Sequence, residues 1–181
     1  ERIWLSTFHS FCAKLLRFEI DGFEGYTRNF TIYDATDQQT LVKDCLKELN
    51  LDDKQFPPRS VLGTISGAKN ALMDSQAFAR RAGDFYEQKV ADVYDLYEKK
   101  LKANNALDFD DLLLLAVRLL QENEEVREKY QDRFQYILVD EYQDTNHAQY
   151  MLTHILAAKW KNICVVGDAD QSIYGWRGAN M

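Results

Sequence analysis

Tyr136-Ile137-Leu138-Val139-Asp140-Glu141-Tyr142-Gln143-Asp144-Thr145-Asn146 is the stretch whose reading decides the fold. Tyr136 to Val139 is a continuous apolar, β-rich run that ends in two acids, which predicts a buried parallel strand. Asp144 or Thr145 can then cap a helix reaching about Lys159. A second run of the same kind, Asn162-Ile163-Cys164-Val165-Val166, ends in Gly167-Asp168. Strand, helix and strand follow at the length of a βαβ unit, which predicts an α/β chain with a parallel sheet.

Asp140 and Glu141 close the C-terminal end of the first of these strands. In open α/β sheets, ligands bind at that edge. Hydrolysis of a nucleoside triphosphate needs Mg²⁺ beside the phosphates, and hard Mg²⁺ prefers carboxylate and water. It also needs a group that orients or deprotonates the attacking water. Adjacent acids can divide these tasks, Asp140 holding Mg²⁺ through water and Glu141 activating the water. Strand ends are also acidic simply because they are solvated, and the pair alone does not separate the two readings.

Outward from this unit the pattern is helical. At the N-terminal end, Arg2 to Ser6 is apolar enough for a strand and Thr7 is placed to cap a helix carrying Phe8, Cys12, Leu15 and Leu16. Thr36-Asp37-Gln38-Gln39 has the form of a capping box, followed by the stripe Leu41, Val42, Cys45, Leu46 and Leu49. Pro58 or Arg59 can open a helix through Val61 and Ile65, and Ser75 can cap another. An amphipathic pattern runs from Asp84 to Lys102, Asp108 can cap a helix from Phe109 to about Gln121, and Glu124 to Asp132 is a short polar helix. The expected organisation is a partial sheet built from residues 1–20 and 134–181, with a helical block at 21–133 between them.

The bulk properties set limits. With 181 residues, 46% of them hydrophobic, the chain has the apolar material for a real core. The longest apolar run, Leu112 to Val117, falls far short of the roughly 20 residues that span a bilayer, so it reads as a buried helix segment and no membrane partner is expected. Cys12, Cys45 and Cys164 are odd in number, far apart and set among apolar residues, which predicts buried, reduced thiols of a cytoplasmic protein. The net charge of −7 argues against nucleic acid when taken as a sum. Local basic clusters run the other way: Lys14 with Arg17, Arg80 with Arg81, and Lys99, Lys100 and Lys102.

Two features are set aside. Gly63-Thr64-Ile65-Ser66-Gly67-Ala68-Lys69-Asn70 looks like a phosphate loop, but GxxxxGK[ST] would need the glycines one residue further apart, Lys directly after the second, and Ser or Thr after the Lys. It also follows a helical stretch, not a strand. Lys69 is better read as a contact to a DNA backbone. His147 and His154 lie on one predicted helix and read as structural.

VDEYQDTN at 139–146 followed by VVGDADQSIYGWRGAN at 165–180 resembles the second and third helicase motifs of superfamily 1 DNA helicases of the UvrD/PcrA/Rep type, nearest to the PcrA-type members. Ser6-Thr7-Phe8-His9-Ser10-Phe11 is similar to their TFHS motif, Leu107-Asp108-Phe109-Asp110-Asp111-Leu112 to their DFDDL motif, and Phe30 through Asn70 to their helical 1B subdomain. The resemblance covers nearly the whole chain. It implies a partial RecA-like P-loop NTPase sheet with a large helical insertion, and a motor using ATP and Mg²⁺ to move 3′→5′ on single-stranded DNA and at single-strand/duplex junctions, in repair or replication.

Residue by residue, the resemblance implies that Asp140 holds Mg²⁺ and Glu141 is the base. Gln171 would sense the γ-phosphate, and Arg177 would link nucleotide to DNA track. Tyr174 and Trp176 would stack on bases, which aromatic faces do regardless of sequence. Thr7, Phe8 and His9, at a strand-to-helix turn, would meet a DNA phosphate; an ordinary helix cap with a core Phe explains the same residues. Asp108 and Asp110 fit either a capped helix or a ligand. The family's phosphate-loop Lys precedes its TFHS motif and its arginine finger follows the third motif. The chain begins without Met and so reads as a segment, completed by a second RecA-like domain and expected by itself neither to hydrolyse ATP nor to hold DNA tightly. Two alternatives share parts of the pattern: an AddA/RecB-type helicase-nuclease subunit, and a non-catalytic DNA-binding or docking module.

Overall fold

The computed structural model describes residues 3–142 and 145–167. The chain divides into two compact units, Glu1–Leu115 and Ala116–Met181.

The first unit opens with α1, Phe8–Glu19, which starts where its cap predicts: Thr7 is extended and its hydroxyl accepts the Ser10 amide at 3.1 Å. Residues 3–6, expected as a strand, carry no regular structure. Ile3 and Leu5 are exposed, and no strand among the described residues pairs with them, so the stretch lacks the ladder that makes a strand.

Helices α2 (Ala35–Glu48), α3 (Pro58–Asn70), α4 (Ser75–Arg81) and α5 (Phe85–Ala103) follow. Leu46, Val61, Ile65, Phe78, Tyr94 and Leu101 belong to the core that these four helices share. Two caps sit one or two residues earlier than the spacing suggested. Asp34, not Thr36, closes a capping box with Asp37, and Asp74, not Ser75, accepts the Ala77 amide at 2.7 Å. In both cases the acid occupies the last extended residue, the position from which a side-chain oxygen reaches the third helical amide.

A short parallel pair that the apolar pattern does not announce joins the ends of this unit. β1 (Thr31–Tyr33) runs beside β2 (Ala106–Asp108), with Thr31 opposite Ala106 and Tyr33 opposite Asp108. Asn105, at φ 47°, turns the chain into β2 while its side chain hydrogen-bonds the Thr27 amide and hydroxyl, a use of Asn in the left-handed region. β2 delivers Asp108 directly to the start of α6 (Phe109–Glu122). The division between the units falls within α6, whose residues Leu112 to Val117 are all buried, as their run predicted.

The second unit holds α7 (Glu124–Arg133), β3 (Ile137–Val139), α8 (His147–Ala157) and β4 (Ile163–Val165). The expected strand, helix and strand form, and β3 pairs with β4 in parallel. Helix α8 is capped by Asn146, in a capping box with Gln149, rather than by Asp144 or Thr145. The expectation of full burial fails: Val139 is buried, but Leu138 is 70% exposed and Tyr136 is exposed too. A two-stranded sheet covers few of its own side chains. His147 and His154 both stack on Tyr150, in keeping with structural roles. Cys12 and Cys45 are buried and free, whereas Cys164, on β4, is exposed, contrary to expectation. No helix among the described residues is long and apolar enough to cross a membrane.

Candidate functional site

Asp140 and Glu141 emerge at the C-terminal end of β3, as the sequence requires of a strand-edge site. The ladder runs on past them: the Val166 amide donates to the Val139 carbonyl at 2.8 Å, and the Tyr142 amide donates to the Val166 carbonyl at 2.9 Å. Between these two bonds Glu141 takes φ 51°. A non-glycine residue in that region costs on the order of 1–3 kcal/mol and persists only where its neighbours over-determine it. Here the Asp140 Oδ1 accepts the Glu141 amide at 2.8 Å. Beyond it, the buried Thr145 donates its hydroxyl to the Tyr142 carbonyl at 2.8 Å.

Both carboxylates are exposed, held by their backbone at a sheet edge. Their oxygens suit a hard cation such as Mg²⁺, which is bound through one or two carboxylates and keeps several waters. Among the described residues, no group of three or more His, Cys, Asp or Glu is arranged to hold a metal by protein ligands alone. Two exposed carboxylates at a strand end are a donor set that fits Mg²⁺ in its water-rich mode. Gln171, Tyr174, Trp176 and Arg177 lie outside the described residues.

In the first unit, the Thr7-Phe8-His9 turn combines a satisfied cap with an aromatic contact. The Thr7 hydroxyl also meets the Ser10 hydroxyl at 2.9 Å. His9 stacks on Phe109, the first residue of α6, with ring centroids 3.9 Å apart and planes 12° from parallel. Burial lowers the His9 pKa below its ordinary 6.5, so the imidazole is neutral at pH 7. Lys14 lies 4.3 Å from the Trp4 ring centroid, and Trp4 meets Phe11 edge-on at 5.2 Å.

Lys69 is not where sequence reasoning put it. Its side chain is 0% exposed, and its ammonium is bound by Glu98 at 2.5 Å, Asp108 at 2.7 Å and Asp111 at 2.8 Å. A buried ammonium with three carboxylates around it cannot reach a DNA phosphate, so that assignment is withdrawn. Residues 63–70 lie within α3, a helix and not a phosphate loop. The Tyr97 hydroxyl adds a hydrogen bond to Asp108 Oδ2 at 2.8 Å. Asp108 also accepts the Asp111 amide at 2.8 Å while Asp111 accepts the Asp108 amide at 3.1 Å, so the expected cap of α6 exists and doubles as an ion-pair partner.

Three carboxylates face one ammonium, and the electrostatics show it. Burial raises the Asp111 pKa well above the carboxylate range, with Asp108 and Glu98 adding to the rise against Lys69. Burial also raises Glu98, opposed by Lys69. Burial alone would lower Lys69, but Asp108, Asp111 and Glu98 together hold it well above its usual value. A signal for this cluster was available. Lys69 lies eight residues after Val61 and four after Ile65 on the buried stripe of α3, and Glu98 lies four after Tyr94 on that of α5.

A family model for the UvrD/REP helicase N-terminal domain matches residues 1–181. The protein named ATP-dependent DNA helicase PcrA from Bacillus subtilis (strain 168) is 56% identical over 179 residues, 99% of this chain and 24% of that protein. A protein of the same name from Staphylococcus aureus (strain Mu50) is 54% identical over 181 residues, 100% of this chain and 25% of its own length. One from Staphylococcus epidermidis (strain RP62A) is 54% identical over 179 residues, 99% of this chain and 24% of that protein. The chain thus spans about a quarter of the length of these relatives.

Proposed function

The chain belongs to the UvrD/REP helicase N-terminal domain family, and from that membership we propose that it is part of an ATP-dependent DNA helicase motor moving 3′→5′ on single-stranded DNA. The observation that carries the proposal is the parallel β3–β4 pair presenting Asp140 and Glu141 at its C-terminal edge. That edge is where doubly wound sheets bind their ligands.

In this reading residues 1–20 and 134–181 belong to a partial RecA-like motor domain and 21–133 to its helical 1B insertion. A second RecA-like domain completes the ATP site. Asp140 binds Mg²⁺ through water. The metal, when bound, neutralises charge developing on the phosphates. Glu141 accepts the proton of the attacking water from its place at the end of β3, where its backbone is held on both sides. Gln171 senses the γ-phosphate and Arg177 links it to the DNA. Thr7, Phe8 and His9, with Tyr174 and Trp176, contact the strand, and single-strand/duplex junctions are the substrate. The setting is the cytoplasm, in repair or replication.

The test is Glu141→Gln in the full-length protein. Loss of a positioned general base lowers a rate by about 10²–10⁴-fold, so DNA-stimulated ATP hydrolysis should fall by that much. Nucleotide and DNA binding should persist. Unchanged hydrolysis, or unwinding of 5′-tailed in preference to 3′-tailed duplexes, would contradict the proposal.

A further inference from the structure

Glu141 sits in the left-handed region at φ 51°, a conformation that lasts only while its neighbours over-determine it. Part of the restraint lies between the strands. Asp140 Oδ1 accepts the Glu141 amide at 2.8 Å, and the next amide, that of Tyr142, donates to the Val166 carbonyl at 2.9 Å. A further restraint comes from Thr145, which is buried at 1% exposure. Its hydroxyl donates to the Tyr142 carbonyl at 2.8 Å, and its amide donates to the same oxygen at 3.1 Å. Tyr142 is thus tied at its amide to the end of β4 and at its carbonyl to the residue that leads into α8.

A Thr hydroxyl that reaches a nearby carbonyl of its own chain is an ordinary local contact. Two features give this one a consequence. Thr145 runs directly into α8, which Asn146 caps in a box with Gln149 and which buries Ala148, Leu152, Ile155 and Leu156. The hydroxyl therefore ties the turn to an element that packing holds still. The carbonyl it binds also belongs to the residue next to Glu141. With the hydroxyl gone, the Tyr142 carbonyl loses one of these two donors, and the strained residue before it is freer to relax to an ordinary conformation.

We propose that Thr145 is a positioning residue for ATP hydrolysis, its buried hydroxyl fixing the backbone from which Glu141 acts. The inference rests on the reading of Glu141 as the base and adds to it a residue that works through the backbone and not on the nucleotide.

The experiment measures DNA-stimulated ATP hydrolysis by the full-length protein carrying Thr145→Val, Thr145→Ala or Thr145→Ser, at a temperature where circular dichroism shows each variant folded. Val keeps the shape of Thr and lacks the hydroxyl. Small misplacements at a catalytic group are costly, so kcat should fall by about 10- to 100-fold while KM for ATP stays near the parent's. Ala also lacks the hydroxyl, adds no methyl in its place and should lose as much. Ser keeps the hydroxyl and should restore most of kcat. Residues that act as a unit are not additive, so Thr145→Val added to Glu141→Gln should lower hydrolysis little further, which a general loss of structure does not predict. Parent-level kcat in Val or Ala, a loss confined to KM, Ser behaving as Val does, or a full further loss on top of Glu141→Gln overturns the inference alone. Unchanged hydrolysis in Glu141→Gln by itself overturns the reading of Glu141 as the base.

Discussion

Lys69→Met isolates what the buried ion cluster contributes. The substitution keeps the length and apolar stem of the side chain and deletes the one cation that Glu98, Asp108 and Asp111 share at 2.5–2.8 Å. Removing one partner of a buried ion pair costs about 3–5 kcal/mol. At about 2–4 °C per kcal/mol for a chain of this size, melting should fall by about 6–20 °C near neutral pH.

The pH dependence is the sharper readout. Asp111 has a folded pKa raised well above the ordinary 3.8. Above that ordinary value the folded chain therefore holds a proton that the unfolded chain releases, and stability falls as pH rises through the window. Lys69 opposes the rise, so deleting it extends the window upward and steepens the fall. Its own titration does not enter, since its pKa is held above the ordinary 10.5 and it stays charged in both states below that.

Far-ultraviolet circular dichroism melts from about pH 5 to about pH 9 should thus show a Lys69→Met deficit that grows with pH. Asp111→Asn added to Lys69→Met should recover part of it, because fewer carboxylates then face one another without a cation. A deficit that is flat with pH, or largest at the acid end, would refute the electrostatic account.

Two further outcomes follow from local geometry. Asp34→Ala removes the side-chain acceptor that the Asp37 amide reaches at 2.8 Å in the α2 capping box and should destabilise the chain by about 1 kcal/mol, whereas Asp34→Asn should lose much less; equal losses in denaturant titrations would show that the cap is not the cause. Burial pushes the Cys45 thiol up to about 11 and Cys12 higher still, while Cys164 is exposed. A thiol reagent on the folded protein should therefore modify Cys164 quickly and the other two only after unfolding, and a common rate for all three would contradict the packing.

Much of this was legible in the residues. Thr7 marked the start of α1, the spacing of Val90, Tyr94, Tyr97 and Leu101 marked α5, and the two β-rich runs marked a parallel pair with α8 between them. These features are written within a few residues of one another, because helix periodicity and capping are local interactions. The caps of α2 and α4 were misplaced by one or two residues because Asp, Ser and Thr compete for the same position and only the backbone turn decides among them. The β1–β2 pair escaped notice because three-residue strands carry too little alternation to stand out. Leu138 looked buried because apolar runs report what a strand can bury, not what neighbours it has.

By itself the sequence determined the helices, the strand end that presents Asp140 and Glu141, and membership of a helicase family. Only the tertiary structure decided that Lys69 faces inward to Glu98, Asp108 and Asp111, and that Phe109 stacks on His9. The physical reason is that closing a long loop costs little more than closing a short one. Sequence separation therefore says almost nothing about which charges or rings meet. Burial decides it instead, since a buried ammonium is tolerated only where carboxylates converge on it.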